Sequence, residues 1–200
     1  MFDQVELEGE FFAALRDADA QIAAAVGEQG CGRCGGRLHR GDYPRKPRGA
    51  LVAAAAEEHV VRFSFCCGRD GCRRRTTPPS LRFMGRRVYL EAVVLIASVV
   101  AAIGGVGRGT ARQVGVPART LARWLAWWRG SFLATAEFVS LAAALALATT
   151  AARSTMPTPL WLGSPSHSAT GKIAWLARRF APLTTVTSTM PWSQNLRDLS

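Results

Sequence analysis

Lysine is nearly missing from this chain: of 25 Lys and Arg residues only Lys46 and Lys172 are lysines. Arginine beside abundant Ala and Gly is what a GC-rich genome writes, so the placement of positive charge says more than its total. Carboxylates are scarce too. After Asp70 the sequence holds only Glu91, Glu137 and Asp198, none in a context recognisable for acid–base or two-metal chemistry. No Ser/His/Asp arrangement, HExxH or phosphate loop is present, and His167 in a Ser-rich stretch reads as a loop residue. The chain is therefore expected not to be an enzyme, and no small-molecule substrate is indicated.

Long apolar runs are lacking as well. Ala92 to Gly107 is sixteen uncharged residues and Phe138 to Ala152 is fifteen, short of the ~20 a spanning helix needs. Both are dominated by Ala and Gly and lack an aromatic belt, so no membrane role is expected. The acidic N-terminus has neither a basic region nor an apolar core of the secretory kind, which points to the cytoplasm. Five cysteines in a reducing compartment are expected to be metal ligands or redox thiols in preference to bridges. No internal repeat is visible.

Charge is strongly partitioned. Residues 1–30 carry seven acids and one base, residues 31–129 nineteen bases and five acids, and residues 130–200 five bases and two acids. The positive segment has the footprint of a nucleic-acid-binding region.

Four regions follow. Residues 1–29 form an acidic N-terminal helix, with Phe11, Phe12, Leu15, Ile22 and Val26 near helical spacing over 9–27 and acids on the other face. Residues 30–80 read as a ribbon with an exposed loop at Asp42 to Ala50. A strand over Val60 to Phe65 enters its second cysteine turn, and one over Arg73 to Thr77 leaves it, ended by Pro78-Pro79. Residues 86–129 hold an apolar helix (86–107) and a helix-turn-helix (110–129). Residues 131–200 begin with an Ala-rich helix over 131–152. Loop signals follow at Met156 to Pro159 and Gly163 to Ser166, then a short amphipathic helix from Gly171 to Phe180 and a polar tail. The fold class is mainly α with a small β zinc ribbon.

The cysteines carry the sharpest signal. Cys31-Gly-Arg-Cys34 and Cys67-Gly-Arg-Asp-Gly-Cys72 each offer two thiolates on a tight turn, and together they can close a four-thiolate zinc site. The linker of 32 residues between Cys34 and Cys67 is long, and the second turn has four intervening residues. Cys66 is the alternative to Cys67. Strand parity favours Cys67, which alternates in phase with Phe63 and Phe65. His39 and His59 are further conceivable ligands. A redox CxxC needs its motif at the start of a helix after a strand, whereas this one follows a helix. Four protein thiolates leave no open position for water, so the Zn2+ is expected to be structural and coupled to folding.

The stretch from Thr110 to Trp124 has helix-turn-helix spacing. Ala111 is small where two helices would touch, Gly115 allows the positive φ of the turn, and Val114, Val116, Leu121 and Trp124 fall at buried positions. That leaves Arg119, Thr120 and Arg123 on the outer face of the second helix, suited to base edges or phosphates. Arg112 and Gln113 suit the backbone, as do Arg73, Arg74, Arg75, Arg86 and Arg87. Trp124, Trp127 and Trp128 are expected in the core.

The order of cysteine turn, long linker, FSFCCGRDGC, RRRTTPPS, apolar helix and a helix pair ending in TLARW resembles the DNA-binding region of zinc-ribbon insertion-sequence transposases. The cysteine spacing is also similar to Ogr/Delta-type phage activators. The resemblance covers residues 31–129. Transposases of that type carry a further domain with three catalytic carboxylates, for which this sequence has no counterpart. The resemblance implies a bacterial accessory or end-recognition factor of a mobile element, binding duplex DNA and working with a separate transposase or a second copy of itself. A transcription regulator and a truncated or diverged transposase are the alternatives.

Overall fold

The computed structural model describes residues 9–45, 57–84, 89–147 and 154–184. Arg86, Arg87, Asp198, most of the Pro-rich loop and the polar tail lie outside these residues. The described chain is mainly helical, with small antiparallel sheets.

Helix α1 (Gly9–Gln29) buries Phe12, Leu15, Asp19 and Ala23. Three of these are apolar, as the spacing expects. Asp19 corrects the expectation that the acids share the solvent face, for it is only 1% exposed. The cysteine-bearing region then folds as one interrupted antiparallel hairpin. Strands β1 (Leu38–Arg40) and β2 (Tyr43–Pro44) run against β4 (Phe65–Cys67) and β3 (Val61–Arg62), and β5 (Arg75–Thr76) adds to the far side of β4.

The strand expected over Val60 to Phe65 is therefore broken. Val60 ends a 3-10 turn, and at Ser64 the backbone N–H donates to the Asp42 carboxylate at 2.9 Å instead of to a strand carbonyl. The ladder is held across the break by Gly41 N–H to Ser64 O at 2.8 Å. The exit strand is shorter than Arg73 to Thr77, because Arg73 is still part of the turn with φ 43°.

Helix α2 (Glu91–Gly104) is buried on every side over Glu91 to Ala101. A helix apolar all round except for Glu91 and Ser98 must be enclosed by other elements or by lipid; here it is enclosed by protein. No helix among the described residues is long and apolar enough to cross a membrane. Helices α3 (Arg108–Val114), α4 (Ala118–Arg129), α5 (Ala136–Ala144), α6 (Thr158–Gly163) and α7 (Ala169–Phe180) complete the helical part. α2 packs against α3, α4, α6 and α7. The aromatic centre of this core is Trp128, with Phe132 at 4.7 Å and Phe180 at 5.5 Å between ring centroids.

Three helix limits differ from the sequence reading. α2 starts at Glu91, after Phe83 and Leu90 pair as an isolated antiparallel bridge. The Ala-rich segment opens as a 3-10 turn over Ser131–Ala134, and α5 starts only after Thr135, whose hydroxyl caps Phe138 N–H. The segment from Met156 to Pro159 was expected to be loop, yet Thr158 and Pro159 begin α6. Proline is compatible with a first helical turn, where its missing N–H would have no intrahelical partner.

Three buried clusters result. The largest surrounds α2 and the tryptophans; a second consists of Ala23, Cys31, Leu38, Phe63, Phe65 and Cys67; a third joins Leu15 and Leu81 to Ala177 and Ala181. Helix α1 contributes to all three, through Phe12, Ala23 and Leu15.

Candidate metal centre and basic surfaces

Cys31 and Cys34 stand just past the C-terminus of α1, where Gly30 (φ 76°) turns the chain and Gly35 (φ 68°) closes the first turn. Cys34 N–H and Gly35 N–H both donate to Cys31 O, at 3.2 and 2.8 Å. Cys67 ends β4, and Cys72 follows the second turn. The second turn repeats the bonding of the first: Cys72 N–H and Arg73 N–H both donate to Arg69 O, at 3.1 and 3.4 Å. Arg73 thus holds the left-handed position that Gly35 holds in the first turn.

The four sulfurs of Cys31, Cys34, Cys67 and Cys72 lie within 4.8 Å of one another. Cys31 to Cys72 is 3.8 Å and Cys34 to Cys67 is 3.5 Å. A tetrahedron with metal–sulfur bonds of ~2.3 Å has edges of about 3.8 Å, so the cage fits one ion of that size. All five cysteines are free thiols. Cys66 turns to the other sheet face, where its thiol lies 3.5 Å from Arg73 O. Neither histidine joins the cluster. His39 is exposed and rests against Gly68, while His59 is buried and stacks on Phe12.

Backbone amides prepare the sulfurs for charge. The Arg33 amide, opposed by burial, lowers the Cys31 thiol to about 6, and the Gly36 amide lowers Cys34. At Cys67 the Arg69 N–H, 3.5 Å from the sulfur, pulls down, but burial and the sulfurs of Cys34, Cys72 and Cys31 push the thiol up to about 12. Crowded thiols resist losing all their protons together. A cation in the cage reverses that, because coordinated thiols are held as thiolates. Arg69 also braces the two turns, donating from Nη1 to Cys34 O at 3.2 Å.

The structure gathers a second group that the sequence reading missed. Asp19 accepts from Ser80 Oγ and Leu81 N–H at 2.6 Å and from Arg82 Nε at 2.8 Å. Arg82 also donates to His59 O at 2.7 Å, and Arg62 to Pro78 O at 2.6 Å. Burial lowers both guanidiniums, Arg62 to about 10, with Asp19 opposing in each case. Near them the Glu91 carboxyl is wholly buried, with no hydrogen-bond partner among the described residues. Burial, then the Asp19 charge, raises it well above its ordinary range. Glu137, by contrast, is half-buried on α5.

Helices α3 and α4 meet at Gly115, a left-handed cap with φ 63°. Gly115 N–H donates to Arg112 O and Val116 N–H to Ala111 O, which ends α3. Val114, Val116, Leu121, Trp124, Trp127 and Trp128 are buried. Arg112, Gln113, Arg119 and Arg123 are exposed and Thr120 is half-buried. Arg73, Arg74 and Arg75 are exposed at the exit from the second cysteine turn.

Comparison with protein-family models, curated proteins and solved structures gave no match.

Proposed function

We propose that the chain is a DNA-binding protein with a structural zinc ion, serving as an accessory or end-recognition factor of a transposable element. The observation that carries this reading is the α3–α4 pair. Its outer side offers Arg112, Gln113, Arg119 and Arg123, and no acidic residue occurs in sequence between Glu91 and Glu137. A basic helix face joined through a left-handed glycine to a short preceding helix suits a helix-turn-helix entering a major groove. Arg119, Thr120 and Arg123 would then read base edges, with Arg112 and Gln113 on phosphates.

The four-thiolate cage supports zinc, which takes four sulfurs tetrahedrally. Cys31, Cys34, Cys67 and Cys72 would hold it. A closed site supplies fold in place of chemistry, so the reading assigns no strand cleavage. The element-end role rests on the resemblance of residues 31–129 to transposase DNA-binding regions, and a separate transposase or a second copy of the chain would be its protein partner.

Fluorescence anisotropy of the zinc-loaded chain on duplex DNA across a salt series is the test. Binding should weaken linearly on a log–log plot, at roughly 0.9 per phosphate neutralised. Arg123→Ala should flatten sequence preference, at a cost of about 1–3 kcal/mol on a selected site, whereas Arg74→Ala should weaken all sequences alike. Flat or absent binding would overturn the reading.

A further inference from the structure

The sheet has two unlike faces. Cross-strand register sets His39 opposite Cys66 and Cys66 opposite Arg75. With a side-chain period of two, these three share the face turned away from Cys67 and Leu38. His39 and Arg75 are exposed and Cys66 is half-buried. The same face continues to Ser64, whose hydroxyl accepts from Arg75 Nη1 at 3.4 Å.

Tyr43 organises this face. The guanidinium of Arg45 lies 5.1 Å from its ring centroid and that of Arg75 lies 5.5 Å from it. Arg45 Nη2 also donates to the Tyr43 hydroxyl at 3.3 Å. One ring therefore fixes two planar cations, which loses less freedom on binding an anion than two loose surface arginines would. Asp42 is engaged by Arg40 at 2.9 Å, and the Asp70–Arg73 pair at 3.3 Å is solvent-exposed on both sides, so it is weak and can yield Arg73 to a phosphate. Neither Arg74 nor Arg75 has a carboxylate within ion-pair distance among the described residues.

Arg73 adds an independent observation. It keeps a left-handed backbone at φ 43° where the first turn uses Gly35. A non-glycine residue there is strained, and glycine would relieve it. Strain kept at such a position accords with a side chain that has work to do. The geometry points to this face as the track of the duplex DNA backbone, with Tyr43 holding Arg45 and Arg75 and with Arg73 fixed at the turn exit. Guanidiniums match phosphodiester oxygens in a bidentate fork. Their spread along several strands suits a run of phosphates better than a single free phosphate. This inference rests on the DNA-binding reading and deepens it.

The test uses the zinc-loaded full chain and a mixed-sequence duplex, with metal content measured for every variant. Arg75→Ala and Arg73→Gly should each bind more weakly and flatten the log–log salt slope by about 0.9. Arg73→Gly should do so while holding zinc at least as tightly as the parent. Tyr43→Leu should lose affinity, whereas Arg179→Ala, a cation stacked on Trp175 in α7, should behave as the parent. A steep parental slope that Arg75→Ala and Arg73→Gly leave unchanged would overturn the track and spare the DNA-binding reading. Weakening that always accompanies loss of zinc would also overturn it, by making the face structural. No salt-dependent binding by the parent would remove both.

Discussion

Gly36 stands at the mouth of the metal cage. A Cβ there would lie 3.0 Å from Cys67 Sγ, 3.1 Å from Arg69 Cβ and 3.3 Å from Cys34 Sγ. Its amide is also the main influence lowering the Cys34 thiol. Gly36→Ala should therefore loosen the cage without removing a ligand, weakening metal binding by about 10- to 100-fold. Gly32→Ala is the control, since nothing lies within 4 Å of a Cβ there. Competition with a chromogenic chelator measures both; equal affinities would show that the cage does not press on Gly36. Gly36 was not legible in the sequence, where CGRCGG reads as two flexible glycines. The two closest contacts, from Cys67 and Arg69, come from more than thirty residues away. Gly115 was legible, because the turn it makes is local and its need for positive φ depends on its immediate neighbours alone.

Among the elements, α2 carries the least expected burden, a wholly buried carboxyl at its first residue. Raised well above 4.5 in the fold, Glu91 stays protonated where the unfolded chain would ionise. The folded state then binds more protons than the unfolded one above about pH 4.5, so stability falls as pH rises toward the folded pKa. Glu91→Gln keeps the shape and removes the proton. It should be more stable than the parent near neutral pH, and the gain should shrink as pH drops toward 5. Urea melts of both proteins at about pH 5.5, 6.5 and 7.5 check this. A gain that is absent or constant with pH would mean that Glu91 titrates alike in both states. At this scale the sequence was a partial guide. Helix positions of α1, α3, α4 and α7 follow from apolar spacing and the turns between them. The limits of α2 and α5 do not, because the Phe83–Leu90 bridge and the Thr135 cap are decided after those segments meet their neighbours.

At the scale of the whole molecule, α1 takes part in three clusters of very different size. The one around the cysteines has six buried residues, of which Cys31 and Cys67 belong to the cage. So little apolar surface gives this region marginal stability without a metal. The larger cluster contains no cysteine, and all six tryptophans lie at Trp124 or beyond. Removing the metal with a strong chelator should abolish amide protection in strands β1, β4 and β5 while leaving tryptophan fluorescence native. Cys72→Ala should reproduce that state and Cys66→Ala should not. Simultaneous loss of both signals would mean that the α1 connection, through Asp19, Arg82 and the Leu15 contact with Ala177, makes one cooperative unit of the cysteine region and the larger core.

The sequence by itself determined the local devices. These are the paired cysteine turns, the helix pair about Gly115, the partition of charge, and the apolar run too short to span a bilayer. Each depends on residues close together in the chain. Strand parity already favoured Cys67 over Cys66, and tertiary structure brought its sulfur together with those of Cys31, Cys34 and Cys72. Tertiary structure also decided that Asp19 leaves the solvent face for Ser80, Leu81 and Arg82, and that Tyr43 meets Arg75. Those outcomes depend on contacts between segments dozens of residues apart, where burial and pairing override what spacing alone can express.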